Sequence, residues 1–230
     1  MLHAAEITVM LSAAFKAAYL ELVPQFERAT GHKVTALWVP TVEMMRRLKG
    51  GEVVDVVILS APPVAELTEG GIIARGSSVN LATCGVGVAV TAGAPKPDLS
   101  SGEALKRAVL AAKSIVYSHG PSGIYLERLF ERMGIADDIR HKVKRVQGQP
   151  SGELVAQGEA ELGFQQVCEL LPVPGIDFAG PLPPDVQEIT TFTAGVHAKS
   201  KEPQAAKALL DFFTSAEAAP VIKSKGMDPL

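Results

Sequence analysis

Short runs rich in β-branched residues alternate with runs of helical period along most of this chain. That alternation restricts the fold to the α/β class. ITVML (7–11), VTALWV (34–39) and VDVVILS (54–60) read as strands. The third is apolar on both faces, as a central parallel strand is. After the first strand, Phe15, Ala18, Tyr19, Leu22, Val23 and Phe26 stand at offsets 0, 3, 4, 7, 8 and 11, which is one helical stripe. Pro24 within it predicts a kink or an early end, and Gly31 a stop. A second helix is expected from Thr41, with Met44, Met45 and Leu48 inward and Gly50-Gly51 closing it. A helix over 62–69 and a strand over 81–90 follow. Ser100 and Glu103 read as a capping box for a helix over 101–113. SIVYS (114–118) is a strand that leads through His119-Gly120-Pro121-Ser122-Gly123 into a helix ending near Gly134. The remainder reads as a short helix at 151–157, strand LGFQQ (162–166), short helix VCELL (167–171), strands at 176–180 and 188–196, and closing helices from Pro203 and Ser215.

The 230 residues suffice for one large domain or two small lobes. With 47% hydrophobic and 20% charged residues the chain is globular rather than disordered. A net charge of −3 argues against a nucleic-acid binder, which needs a basic face. No apolar run approaches the roughly 20 residues of a membrane span, so no membrane insertion is expected. The opening MLHAAEITVML has neither a basic n-region nor a long apolar h-region. A periplasmic location is expected if the chain is a mature form, and a cytoplasmic one otherwise. Cys84 and Cys168 lack metal spacing and read as buried free thiols, with one disulfide open if the protein is exported. The histidines at 3, 32, 119, 141 and 197 are scattered, so no metal site and no cofactor is expected. P-loop, HExxH and GxSxG motifs are absent, and Gly85-Val86-Gly87 lies inside a strand, where it suits close packing rather than a cofactor loop.

Loops that follow parallel strands gather at one edge of an α/β sheet, and that edge binds ligands. Four such loops are small and polar: Ser12-Ala13-Ala14, Pro40-Thr41, His119 to Gly123, and the stretch after Gln165-Gln166. The first three each open a helix, where free N–H groups and the positive dipole end suit an anion without any lysine. Ser122 fits either this role or an ordinary N-cap. His119 fits a site or a structural bond to a carbonyl. Glu43, near a helix start, fits a cap partner at least as well as a base. Gln165 and Gln166 end an apolar strand, where amides are costly to bury unless bonded, so a ligand-facing role for one stands beside a structural network.

ITVMLSAAFKAAYLELVPQFERATGHKV, LKGGEVVDVVILSA, GPSGIYLERLFERMGI and AAKALLDFFTSAEAAPVIKSKGMDP occur in an order and spacing that resemble the molybdate-binding protein family of ABC transporters. The likeness runs nearly end to end. It implies a two-lobed type II periplasmic-binding-protein fold, each lobe a mixed, mostly parallel sheet flanked by helices. Lobe I would comprise 1–82 plus 193–230 and lobe II 83–192, with a small anion bound between them. The implied ligand residues are Ser12, Ala13, Ala14, Thr41, His119, Ser122, Gly123 and Gln166. The chain departs from the family where Ala14 stands at the position of a first-loop hydroxyl and Gln166 at that of a tyrosine. Thr41 and Ser122 keep their hydroxyls. A buried oxygen left without its donor costs ~1–3 kcal/mol, so these departures favour an organic acid over molybdate. The resemblance implies a solute-binding protein, expected as a monomer, with an ABC permease as partner. The chain is also similar to the aconitate-isomerase branch of the same scaffold, which implies a small-carboxylate isomerase as the alternative. On that alternative His119 and Glu43 are the acid/base candidates, since shifting a double bond needs a proton-transfer group within reach of the carbon.

Overall fold

The computed structural model describes residues 4–230, so His3 lies outside the described residues. In chain order the elements are β1 (Glu6–Leu11), α1 (Lys16–Thr30), β2 (Lys33–Trp38), α2 (Thr41–Lys49), β3 (Val56–Ser60), α3 (Ala61–Glu69), β4 (Val79–Thr91), α4 (Gly102–Ala111), β5 (Ile115–Ser118), α5 (Pro121–Arg132), α6 (Ala136–Ile139), β6 (Val143–Val146), α7 (Ser151–Ala156), β7 (Leu162–Gln166), α8 (Val167–Leu170), β8 (Ile176–Pro181), β9 (Ile189–Val196), α9 (Pro203–Phe213), α10 (Ala219–Ser224) and β10 (Asp228–Pro229). Two compact units emerge, one of Met1–Thr83 with Thr190–Leu230, the other of Cys84–Ile189. The first boundary falls inside β4 and the second inside β9.

In the first unit β1 lies between β2 and β3, parallel to both, with Val9 opposite Ala36 on one side and Val56 on the other. β9 runs antiparallel to β3, Val57 opposite Gly195. Met10, Met44, Leu48, Val57, Leu59, Val64 and Leu67 form one core, which takes α2 and α3. The stripe of α1 is buried as its spacing predicts. Phe15 meets Phe213 of α9 edge-on at 5.5 Å and Tyr19 meets Trp38 at 5.3 Å.

Pro24 neither stops α1 nor shortens it, so of the two outcomes expected of it the early end does not occur: the helix runs from Lys16 through to Thr30. Pro24 faces solvent, and so does Leu20, whose carbonyl loses the N–H partner that proline lacks. Water can satisfy that carbonyl, while Leu22, Val23 and Phe26 hold the helix down on either side. Gly31 caps the end in the left-handed conformation, φ 77°.

Asp55, just before β3, is buried and accepts four hydrogen bonds. Its Oδ2 takes the Thr8 N–H at 2.8 Å, and its Oδ1 takes the Ser200 hydroxyl at 2.6 Å and the N–H groups of Lys201 and Glu202 at 3.2 and 3.4 Å. One carboxylate thereby ties β1 to the loop that begins α9.

In the second unit β5 lies between β7 and β6, parallel to both: Tyr117 faces Phe164 on one side and Arg145 on the other. β4 runs antiparallel to β7, Val86 opposite Gln166, and to β8, Val90 opposite Asp177. The larger core packs Leu126, Leu129 and Phe130 of α5 and Leu105 and Val109 of α4 on the sheet. A smaller one on Val116 takes Leu154 and Val155 of α7. A Cβ on Gly87 would lie 2.6 Å from the Phe178 ring, so the glycines of β4 serve close packing, as read from the sequence. The cap of α4 is Ser101, not Ser100: its hydroxyl accepts from the Ala104 N–H at 3.1 Å. The sequence offered two adjacent serines, and Ser100 instead donates its N–H to Asp98. β6, α6 and β10 were not anticipated from the sequence; they are too short to carry a period of their own.

Candidate functional site

Each unit presents the carboxyl ends of three parallel strands side by side. In the first unit these ends are Leu11, Trp38 and Ser60. Ser12 follows β1 directly, and its N–H reaches the Ile58 carbonyl at 3.4 Å. Ala13 and Ala14 then make a short 3-10 turn into α1, Ala13 exposed and Ala14 buried. Thr41 is the first residue of α2, whose N-cap position holds Pro40 and no side-chain cap. Ser60, missed in the sequence reading, ends β3 and begins α3; it is buried, and its hydroxyl caps nothing. The signal was present, because it sits in the ILSA segment already singled out. Topology thus brings Ser12, Thr41 and Ser60 to one edge. Glu43 is one turn into α2 and gives both carboxylate oxygens to Arg46, at 2.7 and 2.6 Å. That hydrogen bond holds its carboxyl below the usual range.

In the second unit the ends are Ser118, Val146 and Gln166. His119 is exposed, and its N–H donates to the Val146 carbonyl at 3.0 Å. Gly120, not Ser122, is the N-cap position of α5, and Pro121 begins the helix, as proline at that position suits. Ser122 is therefore in the first turn, 2% exposed, with no hydrogen bond from its hydroxyl among the described residues. Gly123 is buried against the end of β5: a Cβ there would stand 1.6 Å from the Ser118 carbonyl oxygen. Gln166 is 1% exposed and opens α8.

Gln165 answers the question its position raised. Its Oε1 accepts from the Ser151 N–H at 2.7 Å and lies 2.8 Å from the Ser151 hydroxyl, and its Nε2 donates to Glu169 Oε1 at 2.9 Å. The same hydroxyl has the Phe164 carbonyl as a second acceptor at 3.0 Å. Burial pushes the Glu169 carboxyl up to about 7, and its bond from Gln165 opposes that rise. Sequence reasoning missed Glu169, although a glutamate in the first turn after paired glutamines was visible.

Cys84 of β4 and Cys168 of α8 are both buried and not joined in a disulfide. The Cys168 N–H points at the Cys84 sulfur, 3.4 Å away. The hydrogen bond from Cys168 lowers the Cys84 thiol, while burial pushes the Cys168 thiol well up. Two thiols per chain should titrate with a disulfide reagent in denaturant and neither within minutes in buffer. Rapid native labelling would contradict this burial. Among the described residues no three His, Cys, Asp or Glu side chains are grouped to hold a metal ion. Nor, among them, is any helix long and apolar enough to cross a membrane.

The model of the bacterial extracellular solute-binding protein family matches residues 7–228. The chain belongs to this family. Among curated proteins, this solute-binding family member is 37% identical over 230 residues to an aconitate isomerase of Pseudomonas sp., covering 97% of this chain and 88% of that protein. It is 29% identical over 232 residues to the molybdate-binding protein ModA of Azotobacter vinelandii, covering 97% and 90%. Among solved structures, the periplasmic molybdate-binding protein of Azotobacter vinelandii superposes with a TM-score of 0.81 at 20% identity, over 96% of this chain and 98% of that one. The fold is the type II periplasmic-binding-protein fold expected from the sequence.

Proposed function

We propose that this protein captures a small organic polycarboxylate through half-sites on the carboxyl edges of its two units. Ser12, Ala13, Ala14 and Thr41 supply one half-site; His119, Ser122, Gly123 and Gln166 supply the other. The observation that carries the reading is the state of the helix starts. α2 and α5 begin at these edges with small or polar residues and no side-chain cap, which leaves main-chain N–H groups for an anion; α3 is uncapped too, but Pro62 and Pro63 have no N–H and leave it only that of Ala61 in its first three residues. An organic acid is favoured over a compact tetrahedral oxyanion by two substitutions. Ala14 has no hydroxyl to give, and Gln166 offers a two-faced amide where a molybdate binder has a phenol. Membership of the solute-binding family supports an exported protein that hands its ligand to an ABC permease.

A second reading is favoured by the 37% identity to aconitate isomerase. Here capture is followed by migration of a carbon–carbon double bond within the bound acid.

A thermal-shift screen against di- and tricarboxylic acids, molybdate and tungstate tests the capture. A ligand at 100 times its Kd adds about 2.7 kcal/mol, on the order of 5–10 °C for a chain of this size. We expect such a shift with at least one organic acid, aconitate foremost, and little with molybdate. A large shift at micromolar molybdate, with none from the acids, would reverse the ligand class.

A further inference from the structure

We propose that Glu169 is the acid/base group that moves a proton on the carbon skeleton of the bound acid, and that Gln165 and Ser151 are its positioning residues. The inference rests on the isomerase reading above.

The geometry of three side chains carries it. The Ser151 N–H donates to Gln165 Oε1 at 2.7 Å, and the Ser151 hydroxyl, whose one proton has this oxygen and the Phe164 carbonyl as acceptors, lies 2.8 Å from it. An amide oxygen held in this way fixes the opposite face of the amide. Nε2 must then point at Glu169 Oε1, 2.9 Å away, and the amide cannot flip without facing donor to donor. Ser151 and Gln165 are buried, at 0% and 4% exposure, so the relay is set before any ligand arrives. Glu169 itself keeps part of its surface at solvent. Its second oxygen, Oε2, has no partner among the described residues, and no lysine or arginine pairs with the carboxyl there. One oxygen is thus anchored and the other is unoccupied.

Position adds to this. Glu169 lies in the first turn after β7, and β7 runs parallel to β5, whose end carries the His119 to Ser122 loop. It therefore stands at the edge that carries the half-site of this unit. The candidates nominated from sequence are less suited. Glu43 is bound on both oxygens by Arg46, and His119 is exposed with no bond that orients its ring among the described residues. The chemistry also agrees: a carboxyl that titrates near 7 can both accept and return a proton at neutral pH.

The step is balanced without a co-reactant. Ionised Glu169 takes a proton from a saturated carbon beside a carboxylate, breaking C–H and forming O–H. The released pair becomes the new double bond. The old double bond opens and takes a proton at its far carbon, returned by the Glu169 carboxyl or by water. The acid keeps its formula and its oxidation state.

The test uses the whole chain and aconitate as probe. Proton NMR in deuterated water follows exchange and double-bond migration, and calorimetry follows binding. Glu169→Gln retains an oxygen for Gln165 and is expected to bind aconitate within threefold of wild type while exchange falls at least 100-fold, the scale of general acid–base catalysis. Glu43→Gln is expected to retain exchange within tenfold. Ser151→Ala should lower kcat with KM unchanged, a split that general loosening of the fold would not give. Wild-type exchange with undiminished exchange in Glu169→Gln overturns the assignment and leaves the isomerase reading standing. Tight binding by wild type without exchange overturns both and leaves capture standing. No binding of aconitate by wild type overturns the assignment and the isomerase reading, and the acid screen above then decides capture.

Discussion

Gly123→Ala is expected to destabilise the protein by more than about 3 kcal/mol and to abolish ligand capture with it. The single added methyl would stand 1.6 Å from the Ser118 carbonyl oxygen and 2.8 Å from its carbon. Both are backbone atoms, so no side chain can swing aside. The first turn of α5 would have to lift off the end of β5, carrying Pro121 and Ser122 with it. Gly120→Ala is the control, three residues away. Its Cβ would meet only the Ser118 hydroxyl at 3.3 Å, and its φ of −77° is open to any residue. That variant should stay within about 1 kcal/mol of wild type. Chemical denaturation of the pair reads the difference, and equal midpoints would refute the close approach.

Asp55→Ala should cost about 3–5 kcal/mol, since it orphans the Thr8 N–H, the Ser200 hydroxyl and two further N–H groups around a buried site. A fall in Tm on the order of 10 °C follows for a chain of this size. Asp55→Asn should lose less. It keeps an oxygen for the Ser200 side but turns an N–H towards the Thr8 N–H, so it should fall between wild type and Asp55→Ala. Hydrogen exchange at the Thr8 amide reports the same bond directly. A wild-type melt for Asp55→Ala would mean that water replaces the carboxylate at no cost.

What could be read from the residues was whatever is local or periodic. The α1 stripe is six side chains on one face, and spacing alone specifies it. The carboxyl edge of each sheet, where the candidate residues were placed, was legible because strand–loop–helix order determines which loops emerge together, without knowing any contact. Pro24 misled because periodicity shows which face is buried only when the helix is taken as continuous; its exposure on the solvent side is what spares α1. The Ser151–Gln165–Glu169 relay was half legible. Burial cost flagged Gln165, but its partners lie 14 residues before it and four after it, and only the fold brings them together. Ser60 was passed over although it sits in the ILSA segment, because a serine ending an apolar strand is marked there by position and not by chemistry.

The uncapped starts of α2 and α5 have a consequence for how such a protein could change its ligand. Main-chain donors survive every ordinary substitution, since altering a side chain does not remove the amide beside it. On the proposed reading the attraction for negative charge would be insulated from mutation, whereas the candidate residues Ala14, Thr41, Ser122 and Gln166 are single-codon variables. A scaffold built in this way can drift from one anion to another without passing through a form that binds none. Side-chain scanning of these loops should accordingly change which anion is preferred far more than whether an anion is held at all.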